Sequence, residues 1–191
     1  MKKLLLLFYV YTVALYAKAQ LDYDPYRHGY YITNKGDTMA GYIRYIRGNR
    51  ARIEYFKTGD KKAVKIYPTA CREFLLSDSI RFIRTNGAFT VKVGIGLIDV
   101  TSDFVEVLQT GKVNLYMHHG ISGSANFAAT VDWDNLVVGK DSSVYIGLHP
   151  NMRRRKKEIE KYLKGEDELI EILCRETVAE IREGVKEYNS K

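Results

Sequence analysis

This 191-residue chain has little cysteine and little proline, two and three residues respectively. No C-x-x-C or other metal-spaced thiol pattern occurs, which excludes thiolate zinc sites and a dithiol redox motif. Other familiar chemistry is also missing. There is no H-E-x-x-H pair, Ser122-Gly123-Ser124 lacks the context of a nucleophile elbow, and Gly94-Ile95-Gly96 lacks the third glycine and the helix of a phosphate loop. Beyond the first residues no apolar run approaches the ~20 residues that span a bilayer. Cys71 and Cys174 leave two readings open, one long-range disulfide or two small buried hydrophobes.

The first apolar run reads as a leader. Lys2-Lys3 precede the apolar stretch Leu4–Tyr16, and Ala17-Lys18-Ala19 supplies a small-x-small cleavage pattern. The expectation is a signal peptide over 1–19, a mature chain from Gln20, export to the periplasm or beyond, and no transmembrane segment after cleavage. Removing Lys2, Lys3 and Lys18 from the 30 basic residues leaves 27 against 23 acidic, a net of +4 instead of +7. That mild excess aids solubility and does not argue for nucleic acid, for which no module is visible.

What is abundant is tyrosine, fifteen in all, together with short alternating runs broken by turn formers. Gly29–Thr33 and Thr38–Tyr45 flank Asn34-Lys35-Gly36-Asp37, a β-hairpin signature in which Gly36 takes positive φ at no steric cost. Further turn signals fall at Gly48-Asn49, Thr58-Gly59-Asp60, Asn86-Gly87, Thr110-Gly111 and Gly139-Lys140-Asp141-Ser142. The expected strands are 51–57, 61–67, 79–85, 88–100 (with a bulge at its glycines), 104–109, 112–118, 131–138 and 143–148. Residues 69–76 read as a short turn leading into Phe74-Leu75-Leu76, and the Gly/Ser/Ala-rich stretch 119–130 reads as an exposed loop. The resulting fold class is mainly β, α+β overall. An antiparallel hairpin meander forms a curved sheet, sandwich or partial barrel over 20–150, and amphipathic helices of 151–191 pack on the same domain.

In that C-terminal segment Asn151 caps a helix from Met152 to about Lys164, and Gly165 stops it. Apolar positions Ile170, Leu173, Cys174, Val178, Ile181, Val185 and Tyr188 recur at spacings of three and four, as one helix or as two broken near Glu176. Gly184 in a helix interior costs about 1 kcal/mol, so fraying is expected there.

Three clusters are candidates for function. His118 and His119 point to opposite faces of a strand, but either is in reach of Asp132 or Asp134 for a His/carboxylate metal or loop-built hydrolase site. The carboxylates Asp99, Asp103 and Glu106 read more simply as solvated strand residues. Arg153-Arg154-Arg155-Lys156-Lys157 opens a helix against its macrodipole and fits an anionic partner, with Glu158, Glu160 and Glu166-Asp167-Glu168 as the intramolecular alternative. Tyr30, Tyr31, Tyr42, Tyr45, Tyr55 and Tyr67 form either an aromatic face or ordinary half-buried sheet packing. No cofactor is implied.

The hairpin GYYITNKGDTMAGYI, the later FVEVLQTGKVNLYMH and the closing Tyr188-Asn189 resemble a group of uncharacterised exported proteins of Bacteroidota. Their pattern is G-Y-I-x-T-x-x-G-D-T-x-x-G near the start, matched by Gly36, Asp37, Thr38 and Gly41, and a G-x-x-x-L-Y hairpin midway, matched by Gly111, Leu115 and Tyr116. A Tyr-Asn stands near the end. The resemblance implies an envelope or secreted setting and no activity. The expected function is therefore a non-enzymatic binding or structural module of the cell envelope, its partner an envelope protein or an anionic surface.

Overall fold

The computed structural model describes residues 25–48, 51–77, 79–93, 96–123, 130–139 and 145–191. The leader 1–19, the turn residues 140–142 and the loop centre 124–129 lie outside them. Twelve strands are formed by the described residues: β1 (Arg27–Thr33), β2 (Thr38–Ile46), β3 (Arg52–Phe56), β4 (Val64–Ile66), β5 (Cys71–Leu76), β6 (Arg81–Arg84), β7 (Phe89–Val93), β8 (Gly96–Val100), β9 (Phe104–Gln109), β10 (Asn114–Gly123), β11 (Thr130–Gly139) and β12 (Tyr145–Gly147). Ten of them make one open antiparallel sheet in the order β12-β11-β10-β9-β6-β5-β1-β2-β3-β4, while β7 and β8 pair only with each other. The fold is mainly β, as expected, with three helices at its end.

Local turn chemistry places the hairpins. Gly36 has φ +93°, and the Thr33 N–H donates to the Asp37 carbonyl at 3.0 Å, closing β1 on β2. Gly59 likewise has φ +97° between β3 and β4.

Long-range pairing departs from the sequence expectation in three places. Asn86-Gly87 does not join a hairpin, because β6 pairs with β5 on one side and β9 on the other, Ile83 opposite Val105. With both edges of β6 taken, the chain leaves the sheet. The single strand expected over 88–100 is instead the hairpin β7–β8, with Val93 opposite Gly96. The expected loop 119–130 is strand as far as Gly123 and again from Thr130, because its backbone pairs from His119 with Asp134 to Gly123 with Thr130. A two-stranded ladder satisfies backbone groups whatever the side chains are, so a Gly/Ser-rich composition does not exclude it. A 3₁₀ turn of Pro68–Ala70 precedes β5, which begins at Cys71, earlier than expected.

The sheet curls. On its inner face Tyr45 of β2 reaches Phe74, Phe82 and Phe104 of β5, β6 and β9, with ring centroids 5.5, 4.9 and 6.2 Å away. Tyr31, Ile43, Ile53 and Tyr55 complete this aromatic core. On the same face, toward β10–β12, the sheet is covered by helices: Leu115, Leu136, Val138 and Ile146 pack against Ile159, Leu169, Leu173 and Ile181. The opposite face there is covered by the β7–β8 hairpin, where Phe89 and Val91 lie on Val105, Tyr116, Val137 and Tyr145. β10 is thus central to three layers.

The helices are α1 (Met152–Tyr162), α2 (Asp167–Leu173) and α3 (Val178–Ser190). Asn151 caps α1 by accepting from the Arg154 N–H, and Gly165, φ +83°, turns the chain toward α2. The open question of one helix or two after Gly165 resolves as two. The break precedes Thr177, which forms a capping box with Glu180. Gly184 does not fray its helix. A Cβ there would meet Ile172 Cγ2 at 2.7 Å, so the glycine is where α3 lies against α2.

The chain end is tied back to the sheet. Asn189 accepts from the Val113 N–H at 2.9 Å and donates to the Val113 carbonyl at 2.8 Å, and Tyr188 donates to Glu166 at 2.6 Å. A Cβ on Gly111 would sit 2.3 Å from Asn189 Cγ. Gly111 and the closing Tyr-Asn, noted separately in the sequence, are therefore one contact. Asn189→Ala is expected to lower the unfolding free energy by about 2 kcal/mol, since it strands both backbone groups of Val113; urea unfolding indistinguishable from wild type would contradict this.

Candidate functional site

β10 alternates its side chains, so His118 and His119 face different layers. His118 is buried beneath the β7–β8 hairpin, edge-on to Phe89, with Nε2 2.8 Å from Asp103 Oδ2. The Asp103 carboxylate is itself held by the Phe104 N–H at 2.6 Å, and Asp103 is tied to Thr85, whose N–H donates to the Asp103 carbonyl at 2.9 Å and whose hydroxyl accepts from the Asp103 N–H at 3.2 Å. On the other face His119 lies between two carboxylates. Its Nδ1 is 2.7 Å from Asp134 Oδ1, and its Nε2 is 2.7 Å from Glu106 Oε2.

The two histidines do not converge on one site. Of the carboxylates expected beside them, Asp134 meets His119, whereas Asp132 is paired with Ile121 in the ladder and its side chain lies outside the described residues. Asp103 and Glu106, which the sequence suggests only as solvated strand residues, are the partners instead. They lie three apart on and beside β9 and so serve opposite faces; only the register of β9 on β10 could have paired them with the histidines. Among the described residues no group of three His, Cys, Asp or Glu side chains is placed to hold a metal ion.

His119 has a definite protonation state. Ionised carboxylates only accept hydrogen bonds, and a neutral imidazole has one N–H to donate. Carboxylate oxygens at 2.7 Å from both ring nitrogens therefore call for the imidazolium, which has no lone pair for a metal. Burial lowers the His119 pKa, but the hydrogen bonds and charges of Glu106 and Asp134 outweigh it and raise the value above the ordinary one.

The basic run divides. Arg155 is 7% exposed and points inward from α1. Its Nε donates to the His149 carbonyl at 2.7 Å, and its Nη1 donates to the carbonyls of Leu173 at 3.1 Å and Arg175 at 3.0 Å. It thus caps the C-terminal end of α2, where carbonyls are otherwise unsatisfied and the macrodipole favours a cation. Burial lowers its pKa from the usual arginine value, although a guanidinium stays charged in proteins. Arg155 is not a surface-binding residue, which corrects the expectation for that position. His149 supports the same corner, its Nδ1 accepting from the Asn151 N–H at 2.9 Å.

Arg153, Arg154, Lys156 and Lys157 are exposed. Lys156 is 3.9 Å from Glu160. With one residue in 3.6 per turn facing the same way, Arg153, Lys157 and Lys161 form an i, i+4, i+8 row beside Arg154, opposite the buried row Arg155, Ile159 and Leu163. Of the acidic residues expected as partners, Glu160 meets Lys156, whereas Glu166 takes Tyr188 and Glu168 takes Lys191. Among the described residues no carboxylate forms an ion pair with this row.

The tyrosines divide too. Tyr31, Tyr45 and Tyr55 are buried in the inner core, Tyr42 stacks on Phe56 at 5.0 Å across β2 and β3, and Tyr67 stands exposed elsewhere. Cys71 and Cys174 are free thiols in separate clusters, and burial pushes the Cys71 pKa up to about 12. Among the described residues no helix is long and apolar enough to cross a membrane. Comparison of the chain with protein-family profiles, curated proteins and solved structures returns no match.

A raised His119 pKa means that the folded state binds its proton more tightly than the unfolded chain does. The resulting stability is complete below the unfolded pKa and is lost as pH rises through the folded one. The stability of wild type over His119→Gln, from urea unfolding, should be largest at about pH 5.5 and decline as pH rises beyond about 6.5. A difference constant across that range would contradict the imidazolium bridge.

Proposed function

We infer that the chain is an exported, non-catalytic binding module of the cell envelope that associates with an anionic surface through the solvent face of α1. One observation carries this reading: Arg153, Arg154, Lys157 and Lys161 form a cationic row with no ion-paired carboxylate among the described residues. Two of these cations occupy the first turn, where no acidic residue is present and where each positive charge opposes the macrodipole by about 0.3–1 kcal/mol. Local stability alone does not favour such a placement; attraction to negative charge outside the chain accounts for it. Arg155 and Asn151 hold the helix against that cost.

Export rests on the leader-like residues 1–19, and the likeness of the hairpin motifs to exported Bacteroidota proteins accords with it. The hydrolase or metal-site alternative has less support, because His118 and His119 are engaged separately by Asp103 and by Glu106 with Asp134.

The test is co-sedimentation with vesicles. Wild type should pellet with phosphatidylglycerol vesicles at low ionic strength and not with phosphatidylcholine. Binding should be lost at about 1 M salt, where the Debye length is about 3 Å. Arg153→Glu, Lys157→Glu and Lys161→Glu combined should abolish binding while leaving the melting temperature in place. Absence of binding at low ionic strength, or binding indifferent to salt, would overturn the reading.

A further inference from the structure

A cavity of about 600 Å³ opens beside the His118–Asp103 pair, between the 3₁₀ turn that follows β4 and the segment from β8 to β9. It is remote in sequence from α1 and its cations. The volume is that of an ordinary small-ligand site, for which such cavities run to about 300–1,000 Å³. Its composition is unusual for this protein. The chain has a formal net charge of +7, yet among the described residues neither lysine nor arginine lines the cavity. Two carboxylates, Asp99 and Asp103, and the hydroxyls of Thr69, Thr101 and Ser102 supply its polar groups beside His118. Tyr67 and Ile98, 44% and 40% exposed, supply apolar surface to the lining.

Each feature narrows the ligand. Two carboxylates lining one cleft disfavour phosphorylated and acidic compounds. They are strong acceptors for hydroxyl donors, and the threonine and serine hydroxyls both donate and accept. An exposed tyrosine ring beside such groups offers a flat apolar surface to a C–H face and a polar edge to a hydroxyl. The acceptors are also fixed in place. The Thr90 hydroxyl donates to Asp99 Oδ1 at 2.7 Å, and Asp103 is held by the Phe104 N–H at 2.6 Å as well as by His118. Fixing a polar site before the ligand arrives reduces the ordering cost of binding.

We propose that this cleft binds a neutral sugar segment, its pyranose face on Tyr67 and its hydroxyls on Asp99 and the neighbouring hydroxyl groups. The site is independent of the cationic face of α1 and would persist in the Arg153/Lys157/Lys161 charge-reversal variant.

Saturation-transfer NMR against cellotriose, maltotriose, mannotriose and triacetylchitotriose tests the proposal, with trigalacturonic acid and spermidine as charged comparators. Saturable binding of at least one neutral trisaccharide is expected. Tyr67→Ala and Asp99→Asn should each weaken it about tenfold, the loss of one stacking or hydrogen-bonding contact. Both side chains are exposed, so both variants should melt with wild type, and thermal denaturation confirms that the loss is local. No binding by any of the four neutral sugars would overturn the proposal. So would binding untouched by both substitutions, or a preference for trigalacturonic acid or spermidine.

Discussion

The guanidinium of Arg155 is the contact on which the C-terminal layer depends. It is buried, and it is compensated by backbone carbonyls of His149, Leu173 and Arg175 instead of by a carboxylate. Those carbonyls belong to the approach to α1, the end of α2 and the link to α3, so one side chain fixes three segments. The arrangement has physical economy. The last carbonyls of α2 need donors, the C-terminal end of a helix favours a cation, and the planar fork of arginine reaches several acceptors at once. With α1 held in this way, its buried row Ile159 and Leu163 lies on the sheet and its cations are turned to solvent.

Below that layer, the curled sheet separates chemistry by face. A period of two on β10 sends Leu115, Met117 and His119 to one side and Tyr116 and His118 to the other. His119 becomes the cation of a three-membered charge bridge over β9, β10 and β11. His118 becomes the buried end of an acidic cleft. Two adjacent imidazoles, suggestive of one site when read in sequence, belong to two unrelated environments. The proposed sugar cleft and the proposed anionic-surface face therefore draw on separate residues and are separable by mutation.

Local features were legible and long-range ones were not. Gly36, Gly59 and Gly165 have the positive φ that their turns require, and Asn151 caps where its position before the amphipathic run indicated. These depend on a few neighbouring residues. Asn86-Gly87 misled because a turn dipeptide cannot reveal that β9, twenty residues on, occupies the edge of β6. The Gly/Ser composition of 119–123 misled because ladder pairing is a backbone property. Gly184 and Gly111 were read by local propensity, yet what decides each is a partner far along the chain or in the preceding helix: Asn189 for Gly111, Ile172 for Gly184. The candidate sites followed the same division. The cationic row was visible as a charge run, but the inward turn of Arg155 depends on the helical phase relative to α2. The Asp103–His118 pair depends on strand register.

The central claim is that one of five consecutive basic residues is structural while its neighbours serve the surface. Equilibrium urea unfolding of Arg155→Gln beside Arg154→Gln tests it most directly. Arg155→Gln should lose about 3 kcal/mol or more, from the stranded carbonyls and the lost buried contacts, and Arg154→Gln should stay within about 0.5 kcal/mol of wild type. Equal losses in the two variants, or an unperturbed Arg155→Gln, would contradict the account.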